Sequence, residues 1–185
     1  MNERLHALTE SVTLRVADRV RALEAAGQRV LRLQTGDPDF ATHPAVVERA
    51  LQALREGETH YGPTRGLPAL RTAIADRWQA RHGLLVDPQR EVLVTQGGVH
   101  ALLCAVLALV NPGDEVLIEE PFWMPYRGAT ILAGGLPVPF AADAERNFAF
   151  RLDRLEAALT PRSRVLILNS PGNPSGRVLD AADWA

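Results

Sequence analysis

The chain has 185 residues, enough for one good core, and a net charge of −2 that gives no electrostatic reason to expect nucleic acid or an anionic membrane as partner. Hydrophobic residues are 46% and charged residues 23%, which excludes a disordered or low-complexity chain. All 20 Lys+Arg residues are arginine, so there is no lysine.

The longest apolar run, residues 101–110, is too short to span a bilayer. Met1-Asn2-Glu3-Arg4 leads into an amphipathic stretch without the apolar centre of a signal peptide. A single cysteine, Cys104, permits no internal disulfide and is expected in the core. These features fit a cytoplasmic protein with no metal site.

Helical spacing of Leu8, Val12, Val16, Val20 and Leu23 predicts one helix from Leu5 to Ala26, stopped by Gly27. Residues 30–33 form a short extended segment that enters the turn-rich loop Thr35–Phe40. Helices follow at Pro44–Arg55 and Leu67–Arg81, the second with Leu70, Ile74 and Trp78 on one face. From Val92 the pattern changes. Strands at Val92–Thr95, Glu115–Glu119, Leu136–Phe140 and Arg164–Leu168 alternate with helices at Val99–Val110, Tyr126–Ala133 and Asp153–Leu159, the last capped by its acidic first residue. That alternation predicts an α/β fold with a mainly parallel sheet. Val178–Ala185 reads as the opening of a further helix with Trp184 on its apolar face. A helix cut within about two turns suggests a truncated chain.

Three loops can carry chemistry. Gly97-Gly98 joins a strand end to a helix start, where free amides and the helix dipole favour an anion. Many ordinary strand–helix turns carry the same pair. Trp123 lies in the loop after the second strand and can stack on a flat ligand or simply fill a core or interface. Asn169-Ser170-Pro171-Gly172-Asn173-Pro174-Ser175-Gly176 follows the last strand and cannot extend it, because both prolines lack a ladder N–H. Asn173 there can donate to a ligand or make a turn. Arg127 and Arg177 stand near these loops and read as solvated or structural.

Taken in order, Gly36-Asp37-Pro38-Asp39-Phe40, the segment Tyr61–Arg71, Thr95-Gln96-Gly97-Gly98, Glu120–Tyr126 and Asn169–Gly176 resemble the fold-type I pyridoxal-phosphate aminotransferases of class I/II, the aspartate aminotransferase-like group. The resemblance covers nearly the whole chain and only the N-terminal half of the family pattern. It implies a helical arm and part of a small domain over residues 1–42. Residues 43–185 would be the first part of a large pyridoxal-phosphate-binding domain, its sheet incomplete. It also implies roles. Gly97, Gly98 and Val99 would hold the cofactor phosphate, Trp123 would stack on the pyridine ring, and Asn173 would bond the ring hydroxyl oxygen. Tyr61 would reach the phosphate in a neighbouring subunit, which implies a homodimer. Gly36 would line the site of the substrate carboxylate.

The family's Schiff-base lysine lies beyond the matched part, and no lysine here can replace it. The aspartate facing the pyridine nitrogen and the arginine that clamps the substrate are absent with it. The expected activity of the parent is transfer of an amino group between an amino acid and a 2-oxo acid. This chain by itself is expected to be inactive. A carbon–sulfur lyase or cyclopropane-carboxylate synthase on the same fold, or a non-catalytic effector-binding module, are the alternatives. In the family the Val92–Thr95 strand pairs with one supplied later, so its edge is expected to lack a partner here.

Overall fold

The computed structural model describes residues 3–8, 12–33, 36, 38–181 and 183. It divides into two compact units, Glu10–Thr95 and Met1–Thr9 with Gln96–Ala185. No helix among the described residues is long and apolar enough to cross a membrane.

The unit Glu10–Thr95 holds helices α2 (Val12–Ala25), α3 (Pro44–Arg55) and α4 (Pro68–His82). Proline opens α3 and α4, where its missing N–H costs nothing. His43 Nδ1 accepts from the Ala45 amide at 3.2 Å and caps α3. On α4 the apolar stripe is not the inward face. Leu70, Ile74 and Trp78 stay exposed, while Arg71 and Ala75 are buried at 5% and 6% exposure. The guanidinium decides this. Arg71 Nε donates to Gly66 O at 3.2 Å, Nη1 to Pro88 O at 2.9 Å and Nη2 to Gln89 Oε1 at 3.2 Å. Three acceptors in a fork draw that face onto the preceding loop and the 87–90 turn.

The strand expected at Val92–Thr95 does not form. Val92 is buried, but the Val94 amide bonds Arg65 O at 3.1 Å, so the segment lies against a loop rather than in a ladder. Gly66 makes this approach possible. Its φ is +96°, and a Cβ there would stand 2.5 Å from Val94 Cγ2.

In the other unit, α1 (Glu3–His6) is separate from α2, so the single helix expected from Leu5 is broken. The Ala7 and Leu8 amides close onto Arg4 O and Leu5 O, three residues back, which ends the turn. Arg4 Nη1 donates to Leu132 O at 2.9 Å, and this docking overrides helix continuity. The chain then forms α5 (Gly97–Leu109), β1 (Glu115–Glu120), α6 (Pro125–Ala133), β2 (Leu136–Ala141), a short 3-10 turn at Ala144–Arg146, α7 (Leu152–Ala158) and β3 (Ser163–Ile167).

The sheet is parallel, with order β2-β1-β3. Leu117 of the central strand pairs with Val138 on one side and Leu166 on the other. A central parallel strand is covered on both faces, so its residues alternate between two cores. Val116 and Ile118 pack with Val106, Val110, Ala129 and Ala133, while Leu117 packs with Phe140 and Leu155. Each such side chain contributes about 1.5–3 kcal/mol on full burial. Cys104, expected in the core, is only half-buried, because Val106 and Val110 hold the inward positions of α5.

Glu115 fastens the start of β1 to the start of β3. Its carboxylate accepts from Thr160 Oγ1 at 2.6 Å and from Arg162 Nε and Nη2 at 3.0 and 2.6 Å. The Thr160 hydroxyl, then Arg162, holds this carboxyl below the usual glutamate range. Asp153 does not cap α7. Arg151 occupies the cap position, and its guanidinium binds both Asp153 oxygens, at 2.8 and 2.6 Å. The helix expected from Val178 is absent among the described residues, and Trp184 lies outside them. Arg177 binds Asp183 at 2.9 Å and approaches Asp180 at 3.7 Å, while Asp183 also accepts from the Asp180 amide.

Candidate functional site

The C-terminal ends of β1 and β3 lead into the two loops singled out by the sequence. In open α/β sheets this edge is where ligands bind. A 13-residue helix whose C-terminus feeds β1 runs back along the sheet for about 20 Å, which brings the N-terminus of α5 to the same edge. Gly97, Gly98 and Val99 form that first turn. Gly97 has φ +78°, a conformation that favours glycine, and a Cβ on Gly97 or Gly98 would meet nothing within 4 Å. The space beside these two glycines is open. His100 Nδ1 accepts from the Gln96 amide at 3.2 Å and fixes the turn just before the helix. His100 was not singled out by sequence, although four residues from Gln96 is the spacing that allows the contact.

Trp123 is half-buried, with its ring 5.6 Å from Tyr126 at an interplanar angle of 82°. The Tyr126 amide bonds Trp123 O at 3.1 Å, so this loop turns directly into α6. Edge-on packing against Tyr126 orients the indole.

The loop after β3 is tied by its own groups. Gly172 N donates to Arg177 O at 2.7 Å and Gly176 N to Gly172 O at 2.8 Å. Asn169 Nδ2 donates to Pro171 O at 2.6 Å, and Ser170 Oγ accepts from the Leu179 amide at 2.9 Å. The bonds before Pro121, Pro171 and Pro174 are cis. Among the described residues the Asn173 side chain has no hydrogen-bond partner, and it is exposed. Its amide is therefore available to a ligand, which the turn-making reading alone does not require.

Beneath the loop lies a cavity of about 20 Å³, lined by Glu119, Phe122, Asn169, Asn173 and Arg177. It is large enough for one water molecule. Glu119 Oε1 and Arg177 Nε are both buried there, without a hydrogen-bond partner among the described residues. Burial pushes the Glu119 carboxyl up from its ordinary value, Asp183 adds to this, and Arg177 opposes it. This half-buried acid was not recognised in the sequence. The only signal was a Glu119-Glu120 pair ending an apolar run.

A raised carboxyl holds its proton to higher pH in the folded chain than in the unfolded one. Stability then falls as pH rises from the ordinary glutamate value through the raised one. Glu119→Gln keeps the neutral shape. Its urea midpoint should match the parent's at acid pH and exceed it at neutral pH. A parent chain more stable than the variant at neutral pH would contradict this.

Tyr61 and Gly36 belong to the other unit, and both are exposed. Thr35 and Asp37, which flank Gly36 in its motif, lie outside the described residues. One unit thus holds Gly97, Gly98, Val99, Trp123 and Asn173, on the first turn of α5 and on the loops that follow β1 and β3.

The family model for aminotransferase class I and II matches residues 28–185. An aspartate aminotransferase of Geobacillus stearothermophilus is 38% identical over 181 residues, covering 98% of this chain and 46% of that protein. An aspartate/prephenate aminotransferase of Cereibacter sphaeroides is 39% identical over 185 residues, with 100% and 46% coverage. The solved aspartate aminotransferase of Thermus thermophilus with maleate superposes with a TM-score of 0.93 at 36% identity, covering 99% of this chain and 48% of that one. The chain spans about half the length of these relatives. Its three-stranded parallel sheet with flanking helices is a part of the fold-type I domain. The chain belongs to the class I and II aminotransferases.

Proposed function

We propose that this chain carries the phosphate and ring half of a pyridoxal-phosphate site, in a parent enzyme that moves an amino group between an amino acid and a 2-oxo acid. What supports this is that the α5 N-terminus and the loops after β1 and β3, which carry the motif residues, belong to one unit built on a parallel sheet. The residues fit the cofactor. Space over Gly97 and Gly98 is open for a phosphate, and the Asn173 amide is uncommitted.

In this reading the Gly98 and Val99 amides, with Gly97 giving access, bind the phosphate dianion through short N–H donors and the helix dipole. The Trp123 indole covers one face of the ring and excludes water from it. Asn173 donates to the ring hydroxyl oxygen and fixes the ring's rotation. Tyr61 serves the phosphate in a second subunit of a homodimer, and Gly36 lets a substrate carboxylate approach closely. Pyridoxal phosphate, when bound, supplies the electron sink. The chain supplies no amine side chain to hold the cofactor covalently or to move a proton at the substrate's α-carbon, since it contains no lysine. Alone, in the cytoplasm or in a tube, it should not turn over. Exposed apolar side chains such as Leu107, Leu109 and Leu166 suit a parent polypeptide that covers them.

Binding without turnover is the test. Pyridoxal phosphate should quench tryptophan fluorescence saturably, and Trp123→Phe should remove most of that quench. Pyridoxal, which lacks the phosphate, should bind about tenfold or more weakly, since charged hydrogen bonds contribute about 1.5–3 kcal/mol each. Gly98→Asp should abolish this preference. Equal binding of the two compounds would refute the assignment of the α5 N-terminus.

A further inference from the structure

A second cavity, of about 460 Å³, opens at the opposite edge of the same sheet, where β1 and β2 begin. Its floor and walls include Ala7 beside α1, Ile131 of α6, and Leu136 and Pro137 of β2. Among the described residues, the polar side chains that line it are two arginines, Arg4 and Arg127, with no carboxylate beside them. Arg4 is engaged, donating from Nη1 to Leu132 O, and this bond holds α1 against α6. Arg127 is different. It is half-buried, its Nε is sealed from solvent without an acceptor, and among the described residues its side chain makes neither an ion pair nor a hydrogen bond.

A guanidinium in part withdrawn from water needs an anion or a set of acceptors to offset its desolvation. Among the described residues none supplies one to the Arg127 side chain. Its planar fork matches a carboxylate in two parallel N–H···O bonds. The rest of the lining is apolar, and the volume lies within the range of about 300–1,000 Å³ usual for small-molecule sites. One uncommitted guanidinium above an apolar floor selects a single negative charge on an apolar body. Among the described residues that line it, a dianion would find only the Arg4 side chain as a second cation, and that group is already bonded to a carbonyl.

We propose that this groove is a binding site for a small monocarboxylate with an apolar body, with Arg127 as its ion-pairing residue. The site stands apart from the aminotransferase reading, because its lining shares no residue with the α5, Trp123 or Asn173 loops. Neither its success nor its failure bears on cofactor binding.

The test uses the whole 185-residue chain, labelled with nitrogen-15 and titrated with benzoate, with benzamide as the uncharged isostere. Benzoate should shift the backbone amides of Ile131, Gly134, Gly135 and Leu136 saturably. Benzamide should bind about tenfold or more weakly, the factor that one charged hydrogen-bonded pair supplies. Arg127→Met keeps the apolar stem and should lose the benzoate preference while retaining the parent's circular dichroism and melting curve. Arg127→Lys restores charge without the fork and should recover part of the preference. The proposal is overturned if benzoate and benzamide bind alike, or if Arg127→Met binds benzoate like the parent. It is overturned equally if no saturable shift appears, including the case in which a second copy or a peptide carboxylate fills the groove instead.

Discussion

Replacing Ile118 with alanine lowers the unfolding free energy by about 2–5 kcal/mol, the range for emptying an aliphatic core site. Ile118 is 1% exposed at the centre of the middle strand, between α5 and α6. Its side chain packs in the cluster of Val106, Val110, Ala129 and Ala133, which lie on helices α5 and α6 or, for Val110, at the cap of α5. Such a site cannot collapse to fill the hole, so the cavity cost adds to the lost transfer energy. Domains have only about 5–15 kcal/mol in reserve, so the variant should unfold at clearly lower urea. Leu166→Ala is the control. It removes a similar side chain from the edge strand, where Leu166 is 43% exposed, and should cost much less. Equal shifts in the two midpoints would mean that the centre of the sheet is not the centre of the core.

Arg71→Met should cost about 2–5 kcal/mol, because it strips the donor from two carbonyls and one side-chain amide, each worth about 1–3 kcal/mol when left unpaired. The loss is local. Arg71 joins Gly66 O to Pro88 O and Gln89, and Val94 is then bonded to Arg65. Hydrogen exchange of the Val94 amide should therefore accelerate far more than exchange in α5. Arg71→Lys should not rescue it, since one ammonium cannot reach three acceptors spread around a planar fork. If Val94 stays protected in the methionine variant, the arginine is not what holds this loop. The prediction bears on function too. In the proposed homodimer, Tyr61 sits at the head of the loop that Arg71 clamps.

Elements with strong local signals were legible. Helix α3 begins and ends where Pro44 and the following apolar period place it, and β1, β2 and β3 lie within a residue of their apolar runs. The reason is that local preference and burial agree there. Where they disagree, the sequence misleads. Val92–Thr95 has the composition of a strand, but its Val94 amide bonds Arg65 O and Val94 packs on Gly66. Leu70, Ile74 and Trp78 form the more apolar stripe of α4, yet Arg71 wins the interior through three hydrogen bonds that no periodicity encodes. The break between α1 and α2 comes from the docking of Arg4 on Leu132 O, a contact 128 residues distant in sequence.

The site divides in the same way. Its loops were readable because glycine, proline and asparagine must stand where a strand stops and a backbone turns. The cavity beneath them was not. Glu119 and Arg177 are 58 positions apart by their numbering. Only the parallel pairing of β1 with β3 brings their buried atoms to one small space.

The central claim is that the chain holds half of a cofactor site and lacks the group that would make it catalytic. The direct measurement is release of 2-oxo acid from an amino acid such as aspartate, with the purified chain and pyridoxal phosphate in excess. The account predicts saturable cofactor binding, with 2-oxo acid formed no faster than by free pyridoxal phosphate. Turnover above that rate, lost in Asn173→Ala, would show that this lysine-free chain performs the transfer by itself and would contradict the account.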